Sequence, residues 1–189
     1  MLSSVFLSHY KKPTPWLLEV AEVESPWGPM IVVMHDETVF ELWFTTLAIA
    51  KDGLRKRYPQ AQWQQSARVD RLVRALFSDY EAVDLTLSMR GTAFEFSVWY
   101  ALMSIPFGEV RSYAQIAQQI GRPKSVRAVA NAIGKNPISW IVPCHRVVRS
   151  DGTLGGYRWG TELKKTILAL ESIQTGKKNV LTNNQYGLI

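Results

Sequence analysis

Residues Ser112–Pro137 read SYAQIAQQIGRPKSVRAVANAIGKNP. Two helical patterns meet at Gly121-Arg122-Pro123, the length and punctuation of a helix-turn-helix. At 100° per residue, Val126, Val129, Ala130 and Ile133 share one face of the second helix, while Lys124, Arg127, Asn131 and Lys135 share the other. That second face suits a nucleic acid, and it equally suits the solvated side of a plain surface helix.

Upstream, Gly91 marks a change of composition. The stretch TAFEFSVWYALMSI predicts a helix with Phe94, Val98, Leu102 and Ile105 on one stripe, ended by Pro106. Before Gly91 the runs WLLEVAEVE, PMIVVMHDE and TVFELWF, separated by turn signals, predict an antiparallel meander. Two amphipathic segments, TTLAIAKDGLRKRY and SARVDRLVRALFSDY, and a last short strand, VDLTLS, follow. In the second of these, Val69, Leu72, Val73, Leu76 and Phe77 repeat at helical spacing. The expected organisation is an α/β scaffold domain over 1–88, a mostly α domain over 91–173 and a frayed tail over 174–189.

A chain of 189 residues, 47% apolar and 20% charged, excludes a disordered or collagen-like protein. No apolar run reaches the roughly 18 residues of a membrane span, and the start lacks the pattern of a secretion signal, so the expected location is the cytoplasm. One cysteine cannot close an internal disulfide, and three singly scattered histidines offer no zinc-ligand spacing; neither a metal nor another cofactor is expected. The positive charge is uneven. Residues 1–90 hold 10 Lys/Arg against 11 Asp/Glu, whereas residues 91–173 hold 10 against 5. An excess placed there suits a polyanion.

Downstream, the one cysteine sits in IVPCHRVV, residues 141–148. A thiol needs help to become a thiolate near neutral pH, and His145 and Arg146 follow Cys144 directly. Neighbours in a regular strand point to opposite faces, so cooperation between Cys144 and His145 requires a bend, which Pro143 helps to set, or a bridging water. The residues alone leave two readings open, a nucleophile or a small buried hydrophobe beside a hydrogen-bonded core histidine.

Taken in order, FGEVRSYAQIA, RAVANA, Lys135-Asn136-Pro137, IVPCHRVV, DGTLGGYRWG and LALE ending at Glu171 resemble the O6-alkylguanine-DNA alkyltransferase family over 91–173, with SPWGPM extending the likeness weakly into the first half. GYRWG is similar to the C-terminal half of the bacterial adaptive-response alkyltransferase. The resemblance implies a ribonuclease H-like first domain and a winged-helix-like second domain. It also implies irreversible, single-turnover transfer of an alkyl group from O6-alkylguanine, with O4-alkylthymine a second candidate, in double-stranded DNA to Cys144. By the same resemblance His145 is the base acting through a water, Glu171 the carboxylate that orients it, Asn136 the brace of the turn and Tyr113 a donor to the flipped guanine. Arg127 would enter the space the base vacates, with Ser125, Ala128 and Ala130 small enough for close approach and Lys124, Asn131 and Lys135 on the DNA side. Val147, Tyr157, Arg158 and Trp159 would line the pocket, Trp159 standing where many relatives carry glycine and so narrowing its lip. The protein would act as a monomer with no obligate protein partner. The adaptive-response protein also has a cysteine-rich, metal-binding domain whose cysteines have no counterpart in this sequence, so phosphotriester sensing and transcriptional activation are not expected. The alternatives are a lesion-binding protein without chemistry, a helix-turn-helix regulator and a cysteine hydrolase.

Overall fold

The computed structural model describes residues 2–9, 17–77 and 83–176. The chain forms two compact units, one built from the first half through Arg90 together with Pro137–Ser139, the other from Gly91–Asn136 and from Trp140 onward.

In the first unit, strands β1 (Leu2–His9), β2 (Leu17–Ser25), β3 (Gly28–His35) and β4 (Thr38–Trp43) are followed by helix α1 (Leu47–Arg57), strand β5 (Gln62–Gln65), helix α2 (Ala67–Phe77) and strand β6 (Val83–Met89). The sheet runs β1-β6-β4-β3-β2-β5. The meander β2-β3-β4 is antiparallel as its turn signals predict. The sheet as a whole is mixed, which corrects the antiparallel expectation: β5 lies parallel to β2, and β6 lies parallel to both β4 and β1. The reason is that α1 and α2 are crossovers, and a strand that returns through a helix can join in parallel. Met30–Met34 of β3 are buried on both faces, as befits a central strand. Helices α1 and α2 bury Ala50 and Leu54, and Val69 and Val73; Leu72 is only half-buried.

A buried carboxylate ties this unit together. Glu41 is fully inside and accepts hydrogen bonds from Trp43 Nε1 (2.8 Å), Tyr58 Oη (2.7 Å) and Arg57 Nε (2.6 Å). Pro137–Ser139 also join this unit, with Leu42 N donating to the Pro137 carbonyl and Ser139 N donating to the Leu42 carbonyl, both at 3.0 Å. Division of the chain is therefore not purely sequential.

The second unit holds helix α3 (Ala93–Met103), strand β7 (Arg111–Ser112), helices α4 (Tyr113–Gln119) and α5 (Val126–Gly134), a 3-10 turn at Cys144–Arg146, strand β8 (Val147–Val148) and helix α6 (Thr161–Thr175). Of the predicted stripe on α3, Val98, Leu102 and Ile105 are buried and Phe94 is half-buried, while Phe96, Trp99 and Ala101 are inside as well. A helix apolar on nearly every side is a core helix rather than an amphipathic one. Thr92 begins it with a reciprocal cap, its hydroxyl accepting from Glu95 N while the Glu95 carboxylate accepts from Thr92 N. Trp99 Nε1 then donates to the Ala132 carbonyl at 3.0 Å, fixing α3 against α5.

Ser112 caps α4 in the same reciprocal way with Gln115. The turn to α5 uses Gly121 at φ 69°, a left-handed conformation that favours glycine. Helix α5 buries Val129, Ala132 and Ile133, while Val126 and Ala130 are half-exposed, so the buried face is rotated slightly from the one read from sequence. At the other end, Gln174 and Thr175 are the last residues of α6 rather than tail, closed by Gly176 at φ 63°. Residues 177–189 of the expected tail lie outside the described residues. No helix among the described residues is long and apolar enough to cross a membrane.

Thr92→Ala removes one half of the cap on the helix that anchors α5. It is expected to cost about 1 kcal/mol in urea unfolding, with little change when Thr92 is replaced by Ser.

Candidate active site

The chain enters the site through Val142 and Pro143. Cys144 N donates to the Val142 carbonyl at 2.8 Å and Arg146 N donates to the Pro143 carbonyl at 3.0 Å, so the cysteine sits in a tight turn and not in a strand. Pro143, locked in φ, leads into that turn. The bend required for Cys144 and His145 to share a site is thereby supplied by backbone geometry.

Asn136 follows helix α5 and is buried. Its Nδ2 donates to the Val142 carbonyl at 2.8 Å and to Cys144 Sγ at 3.2 Å, bracing the turn and aiming a partial positive charge at the sulfur. Cys144 is 6% exposed. Burial pushes its thiol above the ordinary value, opposed by the Asn136 hydrogen bond and the charge of Lys164. The resting group is therefore a thiol, and a base must take its proton before it attacks carbon.

His145 is fully buried, with Nε2 2.9 Å from Glu171 Oε1 on α6. Burial lowers the imidazole's affinity for a proton more than Glu171 raises it. Glu171 would itself be pushed up by burial, but hydrogen bonds from His145 and Arg146 hold it down at about 2. The carboxylate is thus charged and accepts, the imidazole is neutral and donates Nε2–H, and Nδ1 is left as an acceptor. Nδ1 is buried and has no hydrogen-bond partner among the described residues.

Lys164, another residue of α6, is completely buried and donates through Nζ to the carbonyls of Val147 (2.5 Å) and Leu154 (2.6 Å), with Gly156 at 3.5 Å. It joins the strand after the cysteine to the loop that carries Tyr157. Burial lowers its pKa to about 8, while the Cys144 sulfur pulls upward. Tyr157 places a buried hydroxyl beside that sulfur, and burial with the neighbouring Cys144 pushes the phenol well up, so it remains a donor. Tyr113, first residue of α4, packs its phenol on Gly155: a Cβ there would lie 2.9 Å from the hydroxyl, and Gly155 is at φ 67°. Burial raises this phenol too.

The structure therefore gathers Cys144, His145, Glu171, Asn136, Tyr113 and Tyr157 in one unit. Two of the residues named from the sequence have further partners. Val147 is wholly buried, and its carbonyl accepts from Lys164. Lys135 is held by Glu95 at 2.6 Å, where the sequence reading left it free for DNA. Lys124, Arg127, Ala128 and Asn131 are exposed along α5 and the turn before it, with Ser125 and Ala130 half-exposed. The guanidinium of Arg158 stacks on the Trp159 ring at 4.9 Å. Sequence reasoning missed Lys164 and the amide of Gly108, which donates to Glu171 Oε2 at 3.2 Å, and it named Arg146 only as a neighbour of the thiol. A lysine in the middle of TELKKTILALE carries no mark of burial, and a glycine's backbone N–H carries none of its partner.

Residues 93–173 match the family model for the DNA-binding domain of 6-O-methylguanine DNA methyltransferase. The chain is 40% identical over 154 residues to a methylated-DNA–protein-cysteine methyltransferase of Methanosarcina barkeri, covering 79% of this chain and 94% of that protein. It is 57% identical over 88 residues to the bifunctional transcriptional activator and DNA repair enzyme Ada of Escherichia coli, covering 47% of this chain and 25% of Ada. The crystal structure of Mycobacterium tuberculosis O6-methylguanine methyltransferase superposes with a TM-score of 0.68 at 37% identity, covering 82% of this chain and 93% of that one. A complex of the M. tuberculosis protein with DNA superposes with a TM-score of 0.66 at 34% identity, covering 84% and 94%.

A carboxylate whose folded pKa is depressed contributes stability above its unfolded pKa, and that contribution is lost as pH falls through the folded value. For Glu171 the window runs from the ordinary 4.5 down to about 2. Glu171→Gln is expected to take up about one proton fewer on acid unfolding, read as a shallower slope of stability against pH within that window by circular dichroism.

Proposed function

This chain belongs to the family of methylated-DNA–protein-cysteine methyltransferases, and from that premise we propose how its own residues carry out the reaction. The protein repairs DNA by direct reversal, moving the alkyl group of O6-alkylguanine to its cysteine. The single observation that carries the residue assignment is the chain of buried partners running from Glu171 through His145 toward the one thiol in the molecule, Cys144.

A base stacked in a duplex is out of reach of a buried sulfur, so the lesion must be extruded into the site. The exposed face of α5 is the element we assign to the duplex, lying in the minor groove, with Arg127 filling the vacated space and Ser125, Ala128 and Ala130 allowing close approach. Lys124 and Asn131 face the phosphates, and Lys135, engaged by Glu95, contributes least. Tyr113 donates its phenol hydrogen bond to the flipped base, and Val147, Tyr157, Arg158 and Trp159 border the pocket.

His145 Nδ1 takes the thiol proton through one bridging water, and the imidazolium is stabilised by Glu171. Sulfur then attacks the alkyl carbon, an S–C bond forms and the C–O6 bond breaks. Its electron pair stays on guanine, which accepts a proton and leaves as the normal base. The product on Cys144 is a thioether, which offers no leaving group that water displaces, so each molecule acts once. An acyl-transferring cysteine enzyme escapes this end because a thioester hydrolyses. A lesion binder without chemistry has no use for a braced thiol.

The finer architecture belongs to the same proposal. We take the first unit as ribonuclease H-like, supported by the meander with parallel strands joined through helices. The second is taken as a winged helix-turn-helix, supported by the β7–β8 pair beside α4 and α5. All the reacting groups come from one chain, which supports action as a monomer on double-stranded DNA, and the site of action we propose is the cytoplasm.

Incubation with a duplex containing one O6-methylguanine is expected to add one methyl group, about 14 Da, to Cys144 and to stop there; Cys144→Ala gains nothing, and repeated turnover or clearance by that variant would overturn the assignment. We place Trp159 at the pocket lip, where the family resemblance sets it, with Arg158 stacked on its indole. Inactivation by free O6-benzylguanine is therefore expected to be slow and to quicken about tenfold or more in Trp159→Gly, an effect of about 1.4 kcal/mol, measured as loss of methyl-accepting capacity with time.

A further inference from the structure

Arg146 lies against the relay without being one of its named members. Its guanidinium is 12% exposed and stacks over the Phe107 ring at 5.3 Å. Nε donates to Glu171 Oε2 (3.0 Å) and Oε1 (3.2 Å), Nη2 donates to Oε1 (2.9 Å), and Nη1 donates to the Ile105 carbonyl (2.8 Å). Gly108 N adds a further bond to Oε2 at 3.2 Å. Gly108 is at φ 75°, and a Cβ there would come within 2.5 Å of Thr175, so the approach of this amide depends on glycine.

Among the described residues each donor to the Glu171 carboxylate is an N–H, His145 Nε2 being one of them. A carboxyl proton on Glu171 would break one of these bonds, so the ring must be the partner that donates. Charge acts in the same sense. An imidazole facing a lone buried carboxylate is drawn toward imidazolium, which has no acceptor nitrogen left. The groups facing the ring are Glu171 and Lys164 from α6, and Cys144 and Arg146 from its own turn; the segment Ile105–Gly108 presents a carbonyl, an aromatic ring and an amide but no charge. Tyr157 borders Cys144 as a neutral phenol. Arg146 is the cation that touches the carboxylate.

We propose that Arg146 is a positioning residue: by pairing with Glu171 it cancels the carboxylate's charge at the imidazole and keeps His145 as the neutral tautomer protonated at Nε2, with Nδ1 open toward the thiol. The inference rests on the reading of His145 as the base. Its direction agrees with the lowering of the His145 pKa, to which the Arg146 charge contributes after burial.

The test is the single-turnover rate of methyl transfer from an O6-methylguanine duplex, measured against pH for the whole protein, Arg146→Gln and Arg146→Lys. Loss of the cation is expected to move the acid limb upward by about one pH unit, with Lys keeping it near the wild-type position even if its plateau is lower. A plateau that falls in Arg146→Gln while the limb stays in place would overturn the proposal, because a merely structural role predicts that result. Should the Gln variant not fold, the ring nitrogens of His145 in the 15N-histidine-labelled wild type decide the matter: Nε2–H with a bare Nδ1 at pH 7 is expected, and a doubly protonated ring there sinks the idea. His145→Ala separates the two layers of the argument. Wild-type transfer by that variant removes the base reading itself, whereas an inactive His145→Ala beside an unmoved limb in Arg146→Gln removes only the role of Arg146.

Discussion

The buried carboxylate of Glu171 is the constraint around which the second unit is arranged. An ion placed where water is excluded is strongly unfavourable unless hydrogen bonds and an opposite charge replace its hydration. The replacements reach the carboxylate on α6 from two separate pieces of chain, the imidazole and guanidinium of the cysteine turn and the amide of Gly108 after α3. Each piece is held where the ion needs it. The turn at Cys144–Arg146 presents His145 and Arg146 to the same carboxylate, something a strand with alternating side chains would not do. Chemistry and stability therefore share one set of contacts, and a change that loosens the relay also exposes an ion to a dry interior.

The chemical core was legible through the ordered motifs that resemble a known family, because the residues alone left Cys144 open between a nucleophile and a small buried hydrophobe. The roles of Asn136, His145 and Glu171 came with that resemblance and not from their residue types. What escaped were groups whose role is set by depth or by backbone. Lys164 lies beside Lys165 in the sequence, yet Lys164 is fully buried, its ammonium satisfied by carbonyls rather than by a carboxylate. Nothing in two adjacent lysines says which one turns inward. Gly108 acts through an amide, and Lys135, which looked free on its helix face, is engaged by the carboxylate that caps α3.

The fold shows the same division. The meander was readable from alternation and from turn residues such as Pro26 and Gly28, both local signals. Strand β5, with the sequence QWQQ, has no alternation of its own and is a strand only because β2 offers it a parallel edge. Helix α3 was found, but not the extent of its burial, since Phe94 and Phe96 are chemically alike and only packing distinguishes the half-buried one from the buried one. Local periodicity located the elements, and tertiary pairing decided their direction and depth.

A reaction that consumes the protein puts a condition on the resting thiol that a catalyst with turnover does not face. An exposed, permanently ionised cysteine would react with oxidants and soluble electrophiles, and each such event would remove one molecule from use. Here burial keeps the sulfur protonated, while Asn136 and Lys164 stand ready to stabilise the anion once the proton leaves. Tyr113 and Tyr157 lie near the same sulfur, each with its phenol kept protonated by burial. Protection and reactivity follow from one arrangement because burial holds the proton on the sulfur until a base removes it.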